Sequence, residues 1–232
     1  MAANALAKLE KRMDFRRLTG VAMIAGLAMT MWESVLEAAP SQPTETRIID
    51  NFEQLGIDTP TPRFGWVIND PARGALQSGY QIIVAPSQAE LSSGTHSLWD
   101  SGKVTSSQQY GVVYAGAALE KTAEYWWKVR TWDAQGQVSP WSDGHRFVTS
   151  FFTPEDWNSG TDWIDNPQGA PTTTIPPSQF RKEFQINKPI SGAYLYISGL
   201  GQFVAFINGA KVGDHVMDPA WTDYDRTVDY VT

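Results

Sequence analysis

YWWKVRTWDAQGQVSPWS, residues 125–142, carries two patterns at once. Tyr125, Trp127, Val129 and Thr131 recur at every second position, while Trp126, Lys128, Arg130 and Trp132 fill the places between. A repeat of two is the side-chain repeat of a β-strand, so one face reads as core and the other as an amphipathic surface. Asp133 to Gly136 supplies the chemistry of a hairpin turn, and Ser139, Trp141 and Ser142 read as a closing strand. The outer Trp and Arg residues have two readings: Arg130 or Arg146 stacks on Trp126, Trp132 or Trp141, or the indoles are platforms for sugar rings.

The same period extends towards the amino terminus. Phe64, Trp66 and Ile68 alternate, as do Tyr80, Ile82 and Val84, and turn-forming pairs separate the runs (Asp70-Pro71, Arg73-Gly74, Pro86-Ser87). Residues 98–114 fit middle strands and a crossover, ending in Tyr110, Val112 and Tyr114. A Tyr opening the penultimate strand, a few residues after Leu119, is the position of a tyrosine corner, so residues 47–150 resemble a fibronectin type III domain, an immunoglobulin-like sandwich. The expected class is all-β.

Composition agrees with that class. The chain has 232 residues, 42% hydrophobic and 12% aromatic, with 19 Gly and 14 Pro, which favours packed short strands joined by many turns. A formal net charge of −7 opposes the neutralisation of phosphates that nucleic-acid binding needs, and no basic stripe follows residue 47, so nucleic acid is an excluded partner class. With no Cys, disulfides, thiolate metal sites and thiol nucleophiles are absent together.

Residues 1–40 differ from the rest. Lys8, Lys11, Arg12, Arg16 and Arg17 precede an uncharged run from Leu18 to Trp32, and Ser34, Ala38 and Ala39 follow. Basic, then apolar, then small is the order of a secretory signal peptide, with an uncleaved membrane anchor as the alternative. Arg16-Arg17 also raises a twin-arginine route. The expected destination is periplasmic or secreted, without stable membrane association once the signal is removed.

Beyond the sandwich, residues 151–178 read as a linker rich in Pro, Thr and Gly that crosses a surface on Trp157, Trp163, Ile164 and Ile175. Phe180, Lys182 and Phe184 alternate with Arg181, Glu183 and Gln185, as in a strand. A further strand, a bend at Gly199 and Gly201, and a hairpin closed by Asn208-Gly209 follow. Residues 179–232 are therefore a second β module.

Six strings are similar, in order and spacing, to the amino-terminal portion of bacterial α-L-rhamnosidases of the glycoside hydrolase family 78 type. They are LGIDTPTPRFGW, SGYQIIVA, LWDSGKV, the 125–142 stretch, FRKEF, and ISGLGQFVAFINGAKVGDHVMDPAWTDYDRTVDY over residues 197–230. The resemblance implies that the second module is part of a jelly-roll, galactose-binding-like domain. It also implies that the general acid and base belong to a later α/α-barrel missing from these residues, so the chain reads as a fragment without catalytic residues of its own. Rhamnose-containing glycosides or polysaccharides are the implied partners.

Asp214, Asp218, Asp223 and Asp225 crowd a turn-rich segment with His215. A glycosidase needs two carboxyl groups ~5–9.5 Å apart, one in an apolar pocket, and no buried strand end is visible here to provide one. Asp214 and Asp218 suit a calcium site better, and Trp221 and Tyr224 beside Asp218 and Asp223 are the candidate sugar contacts. Solvated loop carboxylates and aromatics covered by a neighbouring domain are the bland alternatives. His96, His145 and His215 are too dispersed for a metal triad or a Ser-His-Asp set. Gly199-x-Gly201 lies between strands and is no phosphate loop. Three functions compete: the non-catalytic part of an α-L-rhamnosidase, an autonomous carbohydrate-binding module, and a fibronectin-like adhesion scaffold. The leader generates the first prediction: the mature product is exported with loss of roughly the first forty residues. Amino-terminal sequencing of the extracytoplasmic protein checks this, and a product still beginning at Met1 overturns the reading.

Overall fold

A computed structural model describes residues 39–51, 53–157, 160–165, 177–190 and 192–232. Residues 1–38 of the expected signal at 1–40, and Ile175 of the expected linker, lie outside these described residues. Among the described residues no helix is long and apolar enough to cross a membrane.

The sandwich is built from β1 (Ser41–Ile48), β2 (Arg63–Asn69), β3 (Gln77–Ala85), β4 (Trp99–Asp100), β5 (Val104–Thr105), β6 (Tyr110–Val113), β7 (Glu124–Asp133) and β8 (His145–Val148). One antiparallel sheet has the order β1-β2-β6 and the other β4-β3-β7-β8, with β5 also on β3. β3 and β7 form the long central pair, with Ile82 opposite Val129 and Val84 opposite Trp127. In β7, Tyr125, Trp127, Val129 and Thr131 are buried and the residues between them are not, as the alternation requires.

Between the sheets lies an aromatic core. Phe64 and Trp127 are fully buried, with ring centroids 4.6 Å apart, and Phe147 stands edge-on to Phe64 at 6.3 Å. Trp66 packs on Tyr80 and donates its indole N–H to Gln77 Oε1 at 2.9 Å. The Gln77 amide in turn donates to the carbonyls of Ser106 and Gln108, so this buried polar group is satisfied. The tyrosine corner is present: the Tyr125 hydroxyl accepts the Glu120 N–H at 2.8 Å, beside buried Leu119.

Three details of the sandwich differ from the expectations. β1 begins at Ser41 rather than Arg47, because two register irregularities and a left-handed Glu45 (φ 47°) erase its period of two. The Pro86-Ser87 turn is the start of a helix, α1 (Gln88–Ser93): Ser87 Oγ accepts the Glu90 N–H, donates to the Glu90 carboxylate, and Leu91 seals the helix onto the sandwich. The closing edge is split. Regular β8 pairs with the first half of β7, while the Ser139–Ser142 segment covers the second half with the serine hydroxyls accepting the Thr131 and Val129 N–H groups.

The linker and the second module are sparser. In the linker a short helix α2 (Pro154–Trp157) places Trp157 between Phe151 (4.7 Å) and Tyr230 (5.0 Å), while Trp163 is exposed. Two two-stranded pairs follow: β9 (Ile197–Ser198) with β12 (Tyr230–Val231), and β10 (Phe206–Ile207) with β11 (Ala210–Lys211). Asn208 and Gly209 turn the second pair with positive φ at both positions, as expected of Asn-Gly. Residues 180–185 form no strand, since no described strand pairs with them and a strand needs a bonded neighbour. Replacing Tyr125 by Phe removes the hydrogen bond from the Glu120 N–H to a buried side chain and should cost about 1 kcal/mol, lowering Tm in thermal denaturation, whereas Tyr110→Phe, at an exposed ring, should leave it unchanged.

Candidate functional site

The outer face of β7 is occupied by the protein's own cations. The Arg130 guanidinium lies over Trp132 at 5.1 Å and over Trp141 at 4.6 Å; Lys128 covers Trp141 at 5.1 Å and Lys103 covers Trp132 at 4.7 Å. Arg130 is held in place by Gln81 Oε1, which accepts from its Nε and Nη2. Such stacking contributes about 0.5–1 kcal/mol per pair at exposed sites. Trp126 donates its indole N–H to Glu124, and Arg146 turns to Glu124 instead of to an indole. The stacking reading of this face therefore holds, with Arg130 as its centre.

The second candidate is the loop from Gly213 to Thr227. Gly213 and Met217 adopt left-handed φ, and the Asp218 carbonyl accepts the Phe203 N–H at 2.8 Å, which ties the loop to the strand region before it. Asp218 Oδ2 lies 3.1 Å from His215 Nδ1, and on the other side of the ring Nε2 lies 2.7 Å from Glu53 Oε1. The Lys211 ammonium donates to the His215 carbonyl. Asp223 pairs with Arg226 at 3.4 Å, and its carbonyl accepts the N–H groups of Arg226 and Thr227. Asp218 and Asp223 thus have separate partners. Asp214 is exposed, and among the described residues no group of three or more His, Cys, Asp or Glu is placed to hold a metal ion.

Trp221 is 83% exposed and Tyr224 is 37% exposed, so this loop presents a flat indole face and a phenol to solvent beside an ion-paired carboxylate. Glu53 is a member of the cluster that the sequence does not point to. It lies 162 positions from His215, and no local pattern relates the two.

The architecture is that of an immunoglobulin-like sandwich followed by a second β domain. Residues 43–153 match the model for the Rha78A-like, N-terminal immunoglobulin domain, and residues 188–232 match the alpha-L-rhamnosidase N-terminal domain. An alpha-L-rhamnosidase of Formosa agariphila is 34% identical over 196 residues, covering 76% of this chain and 20% of its own length; one of Streptomyces avermitilis is 35% identical over 176 residues, covering 68% and 17%. The alpha-L-rhamnosidase structure from Dictyoglumus thermophilum superposes with a TM-score of 0.69 at 33% identity, covering 82% of this chain and 23% of that one. The enzyme from Aspergillus terreus shares the fold, with a TM-score of 0.57 at 23% identity. The chain carries the amino-terminal domains of the α-L-rhamnosidase family, in a length that spans about a fifth of its curated relatives.

The charge on Glu53 first, then its hydrogen bond, then Asp218, raise the pKa of His215 above 6.5. A raised folded pKa means that the contact's stabilisation is fully present below pH 6.5 and is lost as pH rises through the folded value. Burial instead lowers the pKa of His145. NMR titration of the imidazoles should place His215 above 6.5 and His145 below it, and Glu53→Gln should bring His215 back towards 6.5 while leaving His145 unmoved.

Proposed function

We propose that the chain is a non-catalytic positioning portion of an α-L-rhamnosidase, an exported enzyme that hydrolyses terminal α-L-rhamnose from glycosides, and that its second domain contacts carbohydrate. The observation that carries the reading is the match of both domains, in the same order, to the amino-terminal domains of that family. The carboxylates support a non-catalytic role. A general acid sits in an apolar pocket, whereas the side chains of Asp218 and Asp223 are 27% and 63% exposed. Rhamnose-containing glycosides or polysaccharides are the ligand class, and Trp221 the contact that favours it.

The exposure of Trp221 also favours a second reading, an autonomous carbohydrate-binding module that does not serve a rhamnosidase. In both cases purified residues 41–232 release no rhamnose from an aryl α-L-rhamnoside. Reproducible turnover that disappears in Asp218→Asn or Asp223→Asn overturns the non-catalytic reading. Affinity electrophoresis in a rhamnose-containing polysaccharide tests the sugar contact: retardation should be lost or weakened ~10-fold in Trp221→Ala, about 1.4 kcal/mol. Equal retardation of the two proteins removes Trp221 from the site.

A further inference from the structure

Three phenols reach from the second domain to the sandwich. Tyr194 donates to Glu124 Oε2 at 2.8 Å, Tyr196 to the Thr149 carbonyl at 2.9 Å, and Tyr230 to the Gly56 carbonyl at 3.0 Å. The three acceptors belong to one end of the sandwich. Ile57, next to Gly56, bridges Thr149, and Glu124 pairs with Val148 across β7 and β8. The rings are wedged as well: Tyr196 packs on Phe151 at 5.2 Å, and Tyr230 on Trp157 at 5.0 Å.

The phenols are built to remain donors. Burial pushes Tyr196 up to about 12 and raises Tyr230, and burial with the Glu124 contact raises Tyr194. Gly56 completes the fit from the sandwich side, because a Cβ there would run into the Thr232 hydroxyl. Against this stands how little holds the second domain internally. Its described strands are two residues long, and Phe184, Leu200, Val204 and Phe206 are each more than half exposed. Two-residue ladders without an apolar core are not stable alone.

We propose that this end of the sandwich is a docking surface for phenol hydroxyls, a three-tyrosine clamp that fixes residues 192–232 in one orientation and acts as the template for their order. The immunoglobulin-like domain is then the carrier of the second domain's structure, a role that does not depend on whether the chain binds sugar.

The test is hydrogen exchange on the full chain, comparing the Tyr194→Phe/Tyr196→Phe/Tyr230→Phe triple variant with a Tyr110→Phe/Tyr224→Phe control. The Phe203 and Val212 amides, which are bonded to Asp218 and Ala205, report on the second domain; the Val129 and Thr131 amides report on the sandwich. Each lost phenol bond should speed exchange in the second domain ~5-fold and the triple variant ~100-fold, with the sandwich and the control unchanged. Unchanged exchange of Phe203 and Val212 overturns the clamp. Equal acceleration in both domains also overturns it, since the phenols would then stabilise one cooperative unit rather than dock one part on another. Should the triple variant not fold, the three single variants are measured, and the absence of selective acceleration in all of them has the same consequence.

Discussion

Trp127 meets Phe64 between the two sheets at 4.6 Å, and the rest of the sandwich is arranged so that this contact can be made. Trp127 belongs to the long central strand β7 and Phe64 to the middle strand of the opposite sheet, so their packing sets which faces of the two sheets point inwards. Because the side-chain repeat is two, a slip of one residue in β7 would expose Tyr125, Trp127 and Val129 and bury Lys128 and Arg130. Removing so much apolar surface from the core, and charging it, exceeds the whole stability of a small domain. The register of β7 on β3 is therefore the constraint from which the tyrosine corner, the serine-capped edge and the Phe147 contact follow.

The outer face of that strand shows how the same alternation produces a surface. Arg130 cannot be buried, and two indoles flank it, so it settles between them with its N–H groups on Gln81. This arrangement covers the indole faces that a sugar ring would need, and it moves the carbohydrate question to the loop around Trp221. There Asp218 lies against His215, Asp223 against Arg226, and the Trp221 indole faces solvent.

The two domains of this rhamnosidase-family chain differ in where their order comes from. The sandwich has a continuous core of its own. The second domain has short paired segments, extensive exposed apolar side chains, and polar anchors whose acceptors lie on the sandwich. Phenols suit that junction, since each contributes a large ring for packing and one directional hydroxyl.

Much of this was legible in the sequence. The period of two in residues 125–132 determined the buried and exposed faces of β7, Tyr125 after Leu119 determined the corner, and Asn208-Gly209 determined a turn with positive φ, because each signal resides in neighbouring residues. The match of ordered strings determined the family. The signals that failed were also local: the bulges of β1 hide its alternation, and the alternation of residues 180–185 has no strand beside it, among the described residues, to bond. Ser87 with Glu90 three residues later spells a helix start, but Pro86-Ser87 also spells a turn. Only the tertiary structure decided that Arg130, rather than Arg146, stacks on the indoles, that Glu53 faces His215, and that Tyr194, Tyr196 and Tyr230 share one end of the sandwich. The Glu53 and tyrosine contacts join residues 47 to 174 positions apart, a separation at which the chain's local preferences carry no information about which groups will meet.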